Sequence, residues 1–432
     1  GLFFLLVIVF ILIGVYMSIF VTNVFTNPSL LLLMGIVIII TLILSVAATY
    51  FSSYLMPVAM GIILLTVLFG YKLAVIINLV LALMVGLITG GDFSFILVAL
   101  LGGLVSIYAV TRLSQRSDLA RAGFYVAITN AAVILSAYLF FGNVSLEYDS
   151  LVSLGYSMVA GIGNGILSAV VAIGLLPFLE SIFGVTTAIT LLELSNPNHP
   201  LLRKMLLKAP GTYYHSMMVS NLAETAAEAV NADALLTRVG AYYHDIGKLK
   251  RPYFFSENQL SGENPHSKLS PNLSALIIGV HPKDGGELGR KHRLPEAIVD
   301  IAVQHHGNSM ISFFYQLALE NDCRENVSAD MFRYEGPKPQ TKEATIIMLA
   351  DAVEAGIRSL SKPSGNRVET MIRRMIKEKL DDGQLDQCDL TLKEIDQIAE
   401  AFIYIMSGIY HSRIEYPEKD LKAELERSVG LK

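Results

Sequence analysis

Charged side chains are distributed very unevenly along this chain of 432 residues. Only eight of them fall within residues 1–179, whereas about a quarter of the residues of a soluble protein are charged. All nine histidines lie further on, beginning with His199. This distribution excludes a single soluble fold. It predicts a transmembrane domain over residues 1–179, a juxtamembrane linker over 180–200 and a polar domain over 201–432.

The apolar part contains runs long enough to cross a bilayer as helices, which takes about 20 apolar residues for each span. No ionisable residue lies well inside any of these runs, and this argues against an ion pump or a proton relay, where such groups mark the pathway. We therefore interpret this part as an anchor in the lipid bilayer. The runs predict seven spans, at residues 1–20, 29–49, 56–71, 73–90, 94–111, 124–142 and 152–178.

The loops between the spans predict the orientation. Arg112, Arg116 and Arg121 lie between the fifth and sixth spans, and short cytoplasmic loops carry an excess of basic residues. The next loop carries Glu147 and Asp149 and no basic residue. An odd number of spans then places the polar domain in the cytoplasm. The chain starts at Gly1, directly inside an apolar run, and we interpret it as a fragment without its N-terminal part.

The polar domain has the pattern of a helical protein. Its apolar residues recur at intervals of three or four, and alternating runs typical of strands are scarce. The fold class predicted for the whole chain is therefore all-α. The net charge of −5 argues against a nucleic-acid polymer as partner. Helices are predicted at residues 215–230, 234–247, 294–305, 343–360, 366–380 and 391–413.

Histidine and aspartate residues recur through these helices in a pattern suited to metal binding. Imidazole and carboxylate groups are ligands for iron, manganese or zinc. Asp351 lies in the apolar segment IIMLADAVEA, where a carboxylate is costly unless it is paired, for example with Arg358, or bound to a metal. Any single histidine could be a core residue, but the joint pattern predicts a metal site. The candidate ligands are His215, His244, Asp245, His281, His305, His306 and Asp351.

The order H…HD…H…HH…D resembles that of the HD-domain metal-dependent phosphohydrolases that hold two metal ions. Longer segments resemble one branch, the seven-transmembrane HD family. Members of that family carry a further N-terminal span and an extracellular domain, which the resemblance implies as the signal input. The segments are LLELSNPNHPLLRKMLLKAPGTYYHS (191–216), AYYHDIGKLKRPYFFSENQ (241–259), NPHSKLSPNLSALIIGVHPKDG (264–285), GPKPQTKEATIIMLADAVEAGIRSL (336–360) and SGIYHSRIEYP (407–417).

The resemblance implies an activity and a division of the site. A hydroxide that bridges two iron or manganese ions would attack the second messenger cyclic di-AMP and release linear pApA. Asp245 would bridge the metals, and Lys248, in the segment HDIGK, would contact a non-bridging phosphate oxygen. One metal would be held by His215, His244, Asp245 and Asp351, and the other by His281, His305 and His306.

Other functions stay open at this point. Phosphodiesterases of the HD-GYP class, which act on cyclic di-GMP, share the HDIGK segment, but GNSMISFFYQ follows His306 here in place of a GYP loop. A membrane receptor that binds a nucleotide without cleaving it is a second alternative, against which the complete ligand set argues. A homodimer is an expectation from analogy alone. The sequence does not identify the residues that recognise adenine. Tyr243, Phe254 and Tyr315 are aromatic candidates for stacking, but each is more typical of a core residue.

Overall fold

The structure is a computed structural model that describes residues 2–111, 115–141, 148–259, 264–321, 327–360 and 365–409. Arg112, Glu147 and the part of the last family segment after residue 409 lie outside these residues. The described chain is helical, and its one β-type pairing is an isolated bridge between Met310 and Arg333. The prediction of an all-α fold is confirmed. The chain divides into two compact units, Gly1–His199 and Pro200–Lys432.

Each predicted span of the first unit corresponds to a helix. Five helices, α3 and α5 to α8, are long and apolar enough to cross a membrane, while Val7–Phe20 and Ser53–Phe69 are shorter apolar segments. Gly70 separates α4 from α5 with a φ of 84°, a conformation that glycine adopts without strain. The helices are α1 (Leu2–Phe20), α2 (Thr22–Phe25), α3 (Pro28–Ala48), α4 (Val58–Phe69), α5 (Tyr71–Ile88), α6 (Phe93–Val110), α7 (Asp118–Phe140), α8 (Tyr148–Phe183) and α9 (Ala188–Leu194).

Asparagine side chains link the helices inside this bundle. Asn78 donates a hydrogen bond to the Leu100 carbonyl at 2.9 Å, and Asn130 donates one to the Gly161 carbonyl at 3.0 Å. Hydrogen bonds of this kind hold membrane helices together, because lipid offers polar groups no partner. Helices α7 and α8 also approach closely at Gly165, where an added Cβ would lie 2.4 Å from a backbone nitrogen.

The basic loop before α7 lies at the end of the bundle where α8 ends. Arg116 lies 2.9 Å from a carboxylate oxygen of Glu193 in α9 and 3.5 Å from one of Glu180 in α8. At a rise of about 1.5 Å per residue, the 36 residues of α8 exceed the thickness of a hydrocarbon core, about 30 Å. Helix α8 ends at Phe183, so it continues beyond the predicted transmembrane domain into the first residues of the predicted linker.

The second unit consists of ten α-helices and several short 3₁₀ helices within the described residues. Its core lies between α11, α17, α18 and α19 and contains Leu222, Ile347, Ile372 and Phe402. The α-helices are α10 (Pro200–Lys208), α11 (Pro210–Ala229), α12 (Ala234–Tyr243), α13 (Pro271–Gly279), α14 (His281–Lys291), α15 (Glu296–Gln304), α16 (Ser312–Asn321), α17 (Lys342–Arg358), α18 (Gly365–Asp381) and α19 (Leu392–Ile409).

The sequence pattern differs from the structure in two respects, the end of one helix and several helices that were not predicted. The helix predicted over 234–247 ends at Tyr243, and a 3₁₀ helix over Ile246–Lys250 follows. Helices α10, α13, α14 and α16 were absent from the prediction. Helix α14 has the sequence HPKDGGELGRK, whose glycines lower its intrinsic helix propensity, and it is stabilised by packing on α15 and on the 3₁₀ helix.

Candidate metal centre

The fold brings all seven candidate ligands into one place. His215 lies in α11 and Asp351 in α17, whereas the others lie at helix ends, where the backbone turns and adjacent side chains can face the same point. Ligand atoms within each of two groups lie no more than 4.8 Å apart. The first group is His215, His244 and Asp245, and the second is His281, His305 and His306.

The two oxygens of Asp245 face different groups. Its Oδ2 lies 3.6 Å from His215 Nε2 and 3.3 Å from His244 Nε2. Its Oδ1 lies 3.2 Å from His281 Nε2 and 3.6 Å from His305 Nε2. A carboxylate in this position can serve both groups at once, one oxygen for each.

Asp351 also lies between the groups. Its Oδ1 is 3.0 Å from His215 Nε2, and its Oδ2 is 3.6 Å from His306 Nδ1. The resemblance assigned Asp351 to the first metal alone. The geometry also brings it near His306, a member of the second group.

The orientation of three imidazole rings is fixed by the backbone. Each Nδ1 donates to the carbonyl oxygen three residues earlier: His244 to Ala241 at 2.8 Å, His281 to Ile278 at 2.8 Å and His305 to Ala302 at 2.9 Å. A carbonyl oxygen only accepts, so the proton of each neutral ring is on Nδ1 and the Nε2 lone pair faces the centre. His281 Nε2 and His305 Nε2 are only 3.2 Å apart. Two facing lone pairs repel each other unless a cation lies between them.

Several buried atoms of the centre also lack hydrogen-bond partners within the described residues. They are His215 Nε2, His244 Nε2 and both carboxylate oxygens of Asp245. Lys248 Nζ lies 2.6 Å from Asp245 Oδ2 as an ionic contact. Buried polar atoms without partners are costly. Nitrogen and oxygen ligands in this arrangement fit divalent metal ions, which would satisfy these atoms.

Two histidines of the second group, His305 and His306, are neutral imidazoles at physiological pH. Burial lowers the pKa of His305 to about 4. Burial, together with the neighbouring His305, also lowers the pKa of His306 well below its usual range. Neutral imidazole is the form that binds metals. These histidines would bind a metal without first releasing a proton.

The first group lies in a more acidic environment. Burial disfavours the charged form of His215, but the carboxylates of Asp351 and Glu354, 3.0 Å and 2.7 Å from its two ring nitrogens, raise its pKa to about 10. Burial likewise opposes ionisation of Asp245, but the ammonium of Lys248 and the neighbouring His244 hold the pKa of this carboxyl well below its usual range. The negative charge that attracts a proton to His215 would equally attract a metal cation, so proton and metal compete at this ring.

Lys248 follows Asp245 by three residues in the 3₁₀ helix, and its side chain returns to the centre. Besides Asp245, it contacts Glu257 Oε1 at 2.8 Å. Glu257 is nearly buried and also accepts a hydrogen bond from Thr212 at 3.2 Å. The sequence analysis did not identify Glu257, which has no ligand-type pattern around it and becomes adjacent only through the fold.

Tyr334 and Glu354 are two further neighbours that the sequence analysis missed. The Tyr334 ring stacks on His306 with centroids 4.2 Å apart, and burial raises its pKa above the usual value. Among the earlier aromatic candidates, Tyr243 is fully buried and Tyr315 packs on Phe332, as core residues do. The spacing of Asp351 and Glu354, one helical turn apart, was a signal that could have indicated Glu354.

Glu354 orients the imidazole of His215 through a hydrogen bond, as carboxylates commonly do for metal-binding histidines. His215 Nδ1 donates to Glu354 Oε2 at 2.7 Å. We expect Glu354→Gln to weaken the binding of manganese to the first group by about 10- to 100-fold, because the neutral amide no longer makes the imidazole more basic. The measurement is a manganese titration of the full chain followed by metal analysis.

Arg358→Gln is the control for this variant, because Arg358 contacts Glu354 at 3.4 Å and its loss leaves the bond to His215 intact. The control should bind manganese within about twofold of the unaltered chain, as expected for a half-exposed ion pair. Unchanged manganese affinity in Glu354→Gln would contradict the assignment.

The ligands of the centre differ in their exposure to solvent. The side chains of His244 and His305 are fully buried, whereas those of His306 and Asp351 are 17% and 13% exposed. His306 and Asp351 are therefore the ligands most accessible from solvent. We refer to the side on which they lie as the open side of the centre.

The first unit is an apolar helical bundle, and the second is an all-helical unit with two groups of His and Asp ligands. This combination is typical of a membrane protein that carries a metal-dependent hydrolase domain. Residues 1–187 match the family model described as "7TM receptor with intracellular HD hydrolase", and residues 212–356 match the model of the HD domain. The chain belongs to the seven-transmembrane HD family. The HD domain implies binding of divalent metal, in agreement with the His/Asp groups.

Individual relatives agree with this assignment. The chain is 44% identical over 412 residues to cyclic-di-AMP phosphodiesterase PgpH of Bacillus subtilis, covering 93% of this chain and 57% of the relative. It is 42% identical to PgpH of Listeria monocytogenes, covering 85% of this chain and 50% of the relative. The chain thus spans about half the length of these curated relatives.

A solved structure also matches the second part of the chain. It is the HD domain of L. monocytogenes phosphodiesterase PgpH in complex with cyclic-di-AMP, with 50% sequence identity and a TM-score of 0.48. The match covers 50% of this chain and 100% of that domain.

Proposed function

We propose that this chain is a membrane-anchored, metal-dependent phosphodiesterase that hydrolyses cyclic di-AMP to linear pApA. The observation that carries the proposal is the position of Asp245, whose two carboxylate oxygens face two separate histidine groups. The names of the PgpH relatives support the choice of substrate. The absence of a GYP segment after His306 favours cyclic di-AMP over cyclic di-GMP.

The residues of the centre have distinct roles in this proposal. Two bound iron or manganese ions would supply Lewis acidity and an activated water for attack on phosphorus. Asp245 would bridge the two sites, and the fixed Nε2 lone pairs would keep the ligand geometry rigid. Lys248, partly held by Glu257, would turn toward a non-bridging phosphate oxygen and offset the negative charge that develops there. The ribose 3′ oxygen would leave, which opens the ring.

The proposed location is the bacterial plasma membrane, with the HD domain in the cytoplasm. Arg116 supports this orientation, because it lies in a basic loop at the same end of the bundle as the end of α8. We further propose that the protein acts as a homodimer and that an N-terminal extracellular domain, of the kind the family resemblance implies, supplies the signal.

Product analysis tests the proposed function. The full chain in detergent micelles, loaded with manganese or iron(II), is incubated separately with cyclic di-AMP and cyclic di-GMP. We expect pApA from the adenine compound and no linear product from the guanine compound. Cleavage of cyclic di-GMP alone would replace the substrate. Tight binding of cyclic di-AMP without any product, in a chain that retains its metals, would favour a receptor.

A further inference from the structure

Lys379, in the last turn of α18, is a partly buried cation without an acidic partner. It forms no ion pair with any residue that the structure describes. Cations on the neighbouring elements are paired instead: Lys248 with Asp245 and Glu257, Arg333 with Asp382, Lys338 with Asp386, and Arg358 with Glu354. Lys379 therefore differs from these paired cations. It differs from Lys377, which is exposed and likewise unpaired among the described residues, in being partly buried, and burial of an ammonium group without an anion is unfavourable.

The position of Lys379 on α18 directs it inward. Helix α18 buries Val368, Ile372 and Ile376, and Lys379 follows at the next position of the same helical stripe. Arg373, which lies off this stripe, is exposed and contacts acidic residues of α18 and α19. The charges along this helix thus separate into a solvated face and one inward cation.

The end of α18 is joined to the loop that follows His306. The side chain of Gln384 is fully buried and donates to Asn308 Oδ1 at 2.8 Å, while Gln384 Oε1 accepts from the Asn308 backbone nitrogen at 3.2 Å. The Gln384 backbone nitrogen donates in turn to the Lys379 carbonyl at 3.1 Å. These bonds fix the last turn of α18 beside the loop that follows His306.

The electrostatics agree with this placement. The pKa of His306 is lowered first by burial, then by His305, and also by the positive charge of Lys379. Burial lowers the pKa of Lys379, and the carboxylates of Asp351, Asp382 and Glu378 partly offset this effect, Asp351 most strongly. His306 and Asp351 are the two ligand residues of the open side. The substrate would therefore pass next to an ammonium group that has no carboxylate partner.

We propose that Lys379 binds the second phosphodiester of a cyclic dinucleotide, the one that is not cleaved while the first lies at the metal centre. This inference rests on the proposed function and assigns a substrate-binding role to a residue outside the family ligand pattern. A cyclic dinucleotide has two anionic phosphodiesters, and the metal centre with Lys248 accounts for one. Lys379 would supply the missing cation for the other and favour cyclic dinucleotides over substrates with a single phosphodiester.

The test compares Lys379→Gln with Lys377→Gln in the full, manganese-loaded chain. Lys377 is an exposed lysine of the same helix and makes a matched control. Each variant is assayed with cyclic di-AMP and with bis(p-nitrophenyl) phosphate, which has one phosphodiester. We expect Lys379→Gln to raise the KM for cyclic di-AMP about tenfold, as expected for one charge-assisted hydrogen bond, with little change in kcat. Its activity on the single phosphodiester, and both activities of the control, should stay within about twofold of the unaltered chain.

Two results would overturn the inference. One is an unchanged KM for cyclic di-AMP in Lys379→Gln, and the other is an equal loss on both substrates, which would indicate general damage to the centre. The unaltered chain tests the proposed function separately. If it cleaves bis(p-nitrophenyl) phosphate but neither binds nor cleaves cyclic di-AMP, the proposed function fails and the inference fails with it.

Discussion

Replacing Asp245 with asparagine should remove metal from both groups and lower the rate of cyclic di-AMP hydrolysis by at least about 10³-fold. The amide has nearly the shape of the carboxylate, but it carries no negative charge and its nitrogen cannot act as a ligand. One oxygen of Asp245 now faces His215 and His244, and the other faces His281 and His305. Both groups lose their shared anion in a single substitution. The measurement is metal content per chain after reconstitution, together with pApA formation.

Variants confined to one group provide the comparison for Asp245→Asn. His215→Ala removes a ligand from the first group and His305→Ala removes one from the second. Each should lose about one metal equivalent, whereas Asp245→Asn should lose both. Lys248 still has Glu257 as partner in Asp245→Asn, so the fold should be retained and can be checked by thermal unfolding. A metal content in Asp245→Asn equal to that of either histidine variant would contradict the bridging role.

The members of the centre could be proposed from the sequence because ligand chemistry is a property of residue type. Histidine and aspartate in apolar helices have few other uses, and the adjacent pair His305–His306 is conspicuous without a structure. Their spatial division depends on the fold. No sequence spacing indicates that Asp351 lies between His215 and His306, because α11, α15 and α17 are far apart along the chain.

The partners of the ligands were harder to predict than the ligands. Glu354, Glu257 and Tyr334 are ordinary residue types on a helix face or in a connecting segment, and only tertiary packing gives them a role. Lys379 illustrates the same limit, since a run of basic residues along α18 is typical of a solvated face. The buried neighbours of that helix determine which of its lysines points inward.

The fold could be predicted where the hydrophobic periodicity was strong. The prediction failed where tertiary packing overrides helix propensity. The membrane spans and α17 have long apolar patterns. Helix α14 has glycines and charges in place of such a pattern, yet it positions His281 at its first residue. The end of α12 at Tyr243 also positions a residue of the centre. The chain changes there to a 3₁₀ helix, in which the Lys248 side chain contacts Asp245.

Lys248 has two proposed roles, and a single substitution would remove both of them at once. In the structure it neutralises two buried carboxylates, with Nζ 2.6 Å from Asp245 and 2.8 Å from Glu257. In the proposed reaction it contacts a phosphate oxygen. Removing the cation of a buried pair leaves an uncompensated charge and costs about 3–5 kcal/mol of stability. Loss of a donor to the developing charge costs about 10²- to 10³-fold in kcat.

A double substitution separates these roles. We expect Lys248→Met to lower both thermal stability and kcat, because Glu257 remains buried without its cation. Adding Glu257→Gln removes that charge, and the amide can still accept the hydrogen bond from Thr212, so Lys248→Met/Glu257→Gln should recover most of the lost stability. Its kcat should stay about 10²-fold or more below that of the unaltered chain, since no cation is restored. Recovery of kcat together with stability would show that Lys248 acts only by holding the centre together, and contact with the phosphate would then have to come from another residue.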